Sequence, residues 1–168
     1  MKKIEIEEKK IIQAAETGMD EFVHIFVEAI LKGIDGELSG ENLAQLNAEQ
    51  ATLLAFHTLH SEVMDGGFVQ LIHNGYGPFI FHNPFAKMMR IWGIDELAKL
   101  INKVRKKYEL YHEEIEREYT DEEFMALFER FPEFDFFDDE FVENEEDWTQ
   151  LIAQYIDEHI ENFACVIK

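Results

Sequence analysis

The stretch Asp95–Tyr119, DELAKLINKVRKKYELYHEEIEREY, decides the fold class. Leu97, Ile101, Val104, Tyr108, Tyr111, Ile115 and Tyr119 follow one another at steps of four, three, four, three, four and four. A helix turns once in 3.6 residues, so these side chains share one face over about six turns. Working outward, helical spacing recurs. Asp20 caps a predicted helix to about Lys32, whose apolar residues cover nearly the whole circumference and predict a central, buried helix. Asn47 followed by Gln50 reads as a capping box opening a helix to about Met64, which Asp65-Gly66-Gly67 interrupts. Asn74-Gly75-Tyr76-Gly77-Pro78 is a turn cluster, and Pro84 suits the first turn of a helix ending near Gly93. Thr120 with Glu123 opens another helix that ends before Pro132. Phe134–Glu143 reads as an acidic, aromatic loop, after which Asn144 caps a final helix. Ile4 and Ile6 suggest one short strand. The expectation is a single all-α domain over residues 1–168, with about six to eight helices around one core.

The chain has 168 residues, 46% of them hydrophobic, which suffices for a core and excludes wholesale disorder. One cysteine, Cys165, excludes an internal disulfide and, beside Phe163, Ala164 and Val166, is expected to be a buried, inert thiol. The start, MKKIEIEEKK, lacks an apolar run, so no signal peptide is expected, and no stretch approaches a membrane span. A cytoplasmic location is expected.

Charge is the anomaly. Fifteen Lys and Arg stand against 36 Asp and Glu, a net charge of −21. Such a field repels phosphate backbones and anionic membranes, which argues against direct nucleic-acid or membrane binding. Glu113–Glu161 holds twenty of the acids and only Arg117 and Arg130 as cations, whereas Lys87–Lys107 carries seven cations and two acids. An acidic face is often no more than a solvated face. Carboxylates held a few ångströms apart on rigid helices also approach the charge density of duplex DNA, about one charge per 1.7 Å of axis. A basic DNA-binding protein would feel the same attraction. The cluster Lys99, Lys103, Arg105, Lys106 and Lys107 solvates its helix, touches an anion, or pairs with an acidic patch across a dimer.

The segment Glu62-Val63-Met64-Asp65-Gly66-Gly67-Phe68-Val69-Gln70-Leu71-Ile72-His73-Asn74 resembles a bacterial family of DNA-mimic proteins with a Gly-Gly-Phe-x-Gln signature, over about residues 40 to 165. Glu62, Gly66, Gly67, Phe68, Gln70 and Asn74 match. Asp65 stands where the family usually has Asn, and Leu71 where an aromatic is common. The resemblance implies an all-α fold, dimerisation and no catalysis; one member of the family is described as sequestering a transcription factor. Read physically, Gly66 and Gly67 permit a sharp turn between helices and Phe68 enters the core. Asp65 and Asn74 satisfy helix-end amides, and Gln70 bridges backbone groups.

Metal chemistry is the best rival. Glu21/His24 and Glu109/His112 are both Glu-x-x-His, and His57 and His60 sit on adjacent turns near Glu62. With 26 Glu in 168 positions, chance alone yields about one such pair. Glu109 also faces away from the core on the stripe above. An EF-hand starting at Asp135 fails because its sixth position is Glu140, not Gly. No phosphate-cradling loop or hydroxyl nucleophile motif occurs. The leading expectation is a noncatalytic interaction protein without cofactor or metal, possible as a homodimer. Its acidic surface would occupy the DNA-binding face of a basic transcription regulator, with contacts at Glu109, Glu113, Glu116, Glu122, Glu123, Asp138, Asp139, Glu143, Glu145 and Glu146. The alternatives are a helical metalloprotein using His24, His57, His60 or His112, and an acidic ligand-binding domain with a pocket near Gln70.

Overall fold

A computed structural model describes all residues, Met1–Lys168. The chain is all-α apart from two three-residue strands. Its elements run β1 (Glu5–Glu7), α1 (Glu8–Thr17), α2 (Met19–Gly33), α3 (Gly40–Leu43), α4 (Ala48–His73), α5 (Gly77–Phe81), α6 (Phe85–Ile91), α7 (Asp95–Ile115), α8 (Asp121–Arg130), α9 (Glu133–Glu158), α10 (Ile160–Phe163) and β2 (Cys165–Ile167). Six helices have ten residues or more, and the other four are single turns or little longer. The residues group into two compact units, Met1–His57 with Glu146–Lys168, and Thr58–Glu145.

The first unit joins the two chain ends. β1 pairs in parallel with β2 in the register Glu5–Cys165, Ile6–Val166 and Glu7–Ile167. The strand expected around Ile4 and Ile6 is therefore present, and both isoleucines are buried. Its partner carries no local signal. Phe22, Val23, Phe26, Val27 and Ile30 of α2 are buried, with Phe26 edge-on to Phe163 at 6.4 Å. The helix is not enclosed as expected: Glu21, His24, Glu28 and Lys32 form an exposed stripe. Cys165 is exposed, also against expectation, because β2 is an edge strand whose three residues all face solvent. The capping box is present in both directions. The Gln50 amide N–H donates to Asn47 Oδ1 at 2.8 Å, and the Asn47 N–H donates to Gln50 Oε1 at 3.1 Å. The same side chains reach the other end of the chain, where Asn47 Nδ2 donates to the Asn162 carbonyl and Gln50 Nε2 to that of Phe163.

The second unit packs around α7. Leu97, Leu100, Ile101, Val104, Tyr108 and Ile115 are buried, so the decisive stripe does face the core. It stops at Ile115; Tyr119 lies beyond the helix and is half-buried, its hydroxyl donating to the Glu114 carbonyl at 2.6 Å. Phe81 stacks on Tyr108 at 4.8 Å. Gly77 lies flat against the same ring, leaving no room for a Cβ.

Asn47 both caps α4 and holds the C-terminal segment, so Asn47→Ala is predicted to lower stability by about 1–2 kcal/mol. Urea unfolding of the variant beside the parent protein measures this; an unchanged midpoint would contradict it.

Candidate functional site

The glycine pair is where α4 breaks. Gly66 has φ −150° and ψ 15°, and Gly67 has φ 76° and ψ −177°. A left-handed φ favours glycine. Space does too, because a Cβ on Gly66 would meet the Gln70 side chain and one on Gly67 the Asp138 carboxylate. The break orphans the amides that open the next turn. Asp138, from α9, supplies a partner: its Oδ1 accepts from the Phe68 N–H at 2.8 Å. Phe68 is fully buried, edge-on to Phe141 at 6.3 Å, and Phe141 in turn meets His60 at 6.1 Å. His60 Nε2 lies 2.8 Å from Glu145 Oε2. Two carboxylates of α9 thus hold this part of α4 on either side of Phe141.

The remaining signature residues bond to one another. Gln70 Nε2 donates to Glu62 Oε2 at 3.0 Å and to Asp65 Oδ2 at 2.9 Å, while Asn74 Nδ2 donates to the same Glu62 oxygen at 2.9 Å. Asp65 and Asn74 were expected to cap backbone amides and Gln70 to bridge backbone groups. Instead these side chains form one surface network that ties the helix across its break. The amides of Gln70 and Asn74 are taken up there rather than offered to a ligand.

Phe134–Glu143 is not a loop. It is the first part of α9, one 26-residue helix. Phe134, Phe141 and Trp148 repeat at intervals of seven and are all buried. Exposed Phe136 and Val142 obscure this period in the sequence. Asn144, read as a cap, lies mid-helix and donates to the Glu140 carbonyl at 2.8 Å. At 100° per residue the exposed positions from Asp135 to Glu146 occupy one arc, with Val142 and Phe136 at its edges and Asp135, Asp139, Glu143 and Glu146 between them. Asp135, Asp139 and Glu143 are four residues apart, about 6 Å along the axis.

The ten expected contact residues divide accordingly. Glu113, Glu122, Asp139, Glu143 and Glu146 are exposed and have no cation within ion-pair distance. Glu123 is exposed at the start of α8, where Thr120 Oγ1 accepts from its N–H at 3.2 Å, so the second capping signal also holds. Glu109 bonds to Arg105 Nε at 3.1 Å, and Glu116 to His112 Nδ1 at 3.2 Å. Asp138 and Glu145 turn inward to Phe68 and His60. The pattern of the exposed arc adds Asp135, which the loop reading concealed. The other acid of this region with an arginine partner is Glu114, which pairs with Arg130.

No group of three or more His, Cys, Asp and Glu residues is placed to hold a metal ion. Glu21 and His24 are exposed on α2. His112 pairs with Glu116, and His60 with Glu145. No helix is long and apolar enough to cross a membrane.

A family model described as DMP19-like protein matches residues 44–159, from just before α4 to the end of α9. The chain belongs to the DMP19-like family. It is 39% identical over 125 residues to a protein of Neisseria meningitidis serogroup B named DNA mimic protein DMP19, covering 74% of this chain and 76% of that one. The resemblance read from the glycine signature is therefore correct. The DMP19-like match contains the broken α4 and the acidic α9, whereas β1, α1, α2 and β2 lie outside it.

Burial raises the Asp138 pKa to about 6; the Phe68 N–H pulls it down and the charges of Asp135 and Asp139 push it up. Below pH 6 the folded chain takes up a proton that the unfolded chain binds only near 3.8, so this residue adds stability as pH falls through that window. Asp138→Asn keeps an acceptor oxygen and removes the titration. Its melting temperature is predicted to exceed the parent's by more at pH 8 than at pH 4. A gap independent of pH would refute the assignment.

Proposed function

We propose that this chain is a noncatalytic interaction protein that presents carboxylates in place of phosphates to the DNA-binding face of a basic protein, a transcription regulator being the expected partner. The arc on α9 carries this reading. Asp135, Asp139 and Glu143 repeat at a fixed rise on a rigid helix, exposed, with no Lys or Arg side chain neutralising them. A solvated surface needs no such order, and positively charged neighbours would cancel it. Glu113 at the end of α7 and Glu122 at the start of α8 add unpaired acids in the same unit. The name of the Neisseria relative, DNA mimic protein, supports the same role here.

The attraction is long-range and screened by salt, with a Debye length of about 8 Å at physiological ionic strength. A partner would therefore bind more weakly as salt rises, and duplex DNA would compete with the chain for it. Loss of one exposed carboxylate changes little, since single surface charges contribute roughly 0–1 kcal/mol. Several must be reversed together.

The test uses lysate proteins retained on duplex DNA-cellulose. The chain is predicted to elute a DNA-binding protein from that resin. The triple variant Asp135→Lys, Asp139→Lys, Glu143→Lys is predicted to lose at least about tenfold in affinity for the purified protein, with a shallower salt dependence by calorimetry. Equal affinity and an equal salt slope for the two chains would end the reading.

A further inference from the structure

Seven cations between Lys87 and Lys107 sit in a chain with 36 acids, yet only Lys99 and Arg105 have a carboxylate partner, Glu96 and Glu109. Lys87, Arg90, Lys103, Lys106 and Lys107 have none. Solubility does not explain them, because the acids already provide it. Three of the seven cations border one feature. Lys87 and Arg90 of α6 and Arg105 of α7 line a depression of about 190 Å³ that also reaches the buried side chains of Ile80, Phe81 and Ile101. Arg105 uses Nε for Glu109, which leaves its two terminal nitrogens.

We propose that this depression binds a small organic anion: a carboxylate or phosphate on a short apolar body. At about 190 Å³ the depression lies below the usual range of ligand pockets, about 300–1,000 Å³, and suits a small body. Two guanidinium groups suit planar, bidentate recognition of either headgroup. The rim is exposed, so ion pairing alone is weak, and inorganic phosphate would remain mostly hydrated. Ile80, Phe81 and Ile101 are already buried, so it is the ligand's own apolar body that leaves water in the depression and supplies the difference. The net charge of −21 does not prevent this, because screening leaves the local field in control.

The test is a titration of the full chain, followed through its amide NMR signals at constant ionic strength, with phenyl phosphate, benzoate, inorganic phosphate and benzyl alcohol. Saturable shifts at Lys87, Arg90 and Arg105 are expected with phenyl phosphate or benzoate, and which of the two binds tighter identifies the headgroup. The better of them should bind at least about tenfold tighter than inorganic phosphate, and benzyl alcohol should not saturate. Arg90→Gln should weaken the tighter probe about tenfold and Lys87→Gln less, while Lys168→Gln, removing one charge that does not line the depression, leaves it unchanged. Unsaturable shifts, parity with inorganic phosphate, or an equal effect of Lys168→Gln and Arg90→Gln would overturn the proposal.

Discussion

A helix that breaks must find new partners for the amides it strands. At Gly66–Gly67 the partner for Phe68 is a carboxylate seventy residues away in sequence, Asp138. That bond fixes several things together. It sets Phe68 in the core, aligns Phe141 against it, and holds the first part of α9 beside α4. The close fit of Asp138 to Gly67 also explains why no larger residue suits that position. The carboxylate is held in a half-buried place that resists its charge, so the break is maintained against an electrostatic penalty by the packing around it.

The same packing decides whether an acidic helix can exist at all. Asp135, Asp139 and Glu143 repel one another, but only by a few tenths of a kcal/mol for each pair at helical spacing. Phe134 and Phe141 are fully buried on the opposite side, and each contributes about 1.5–3 kcal/mol on leaving water. Burial therefore exceeds repulsion several-fold. Glu133 and Asp135 in the first turn gain further from the helix dipole. Order in the acidic surface is a consequence of the aromatic side, and charge density alone would not produce it.

This explains what the sequence made legible. Period and capping are local, so the α7 stripe, the Asn47 capping box, the Thr120 cap and the glycine break could be read from neighbouring residues. Pairing across the chain is not local. β2 has only three residues and acquires its structure from β1, some 160 positions earlier. Asp138 and Glu145 look like any other acids until α4 is laid beside α9, and only then do they turn inward. The loop reading of Phe134–Glu143 failed for a related reason: Phe136 is 80% exposed and Val142 51%, so the hydrophobic pattern included residues that belong to the outer face. Removing those two from the pattern restores the seven-residue repeat. For the site, the identity of the acidic region was evident from composition, whereas the division into exposed and engaged carboxylates needed the fold.

Within residues Thr58–Glu145 charge is segregated by element: cations concentrate on α6 and α7 before Tyr108, acids on the end of α7, α8 and α9. A mixed surface of the same composition would pair internally and present little field to anything. Segregation keeps each sign available, and at physiological salt an encounter is governed by charges within about 8 Å. Arg105 and Glu109 mark the boundary, one turn apart on α7 and bonded to each other. On the N-terminal side of that pair the surface favours anions, and on the C-terminal side it favours cations. A chain with a net charge of −21 thereby keeps two regions of opposite local charge, and the net figure describes neither.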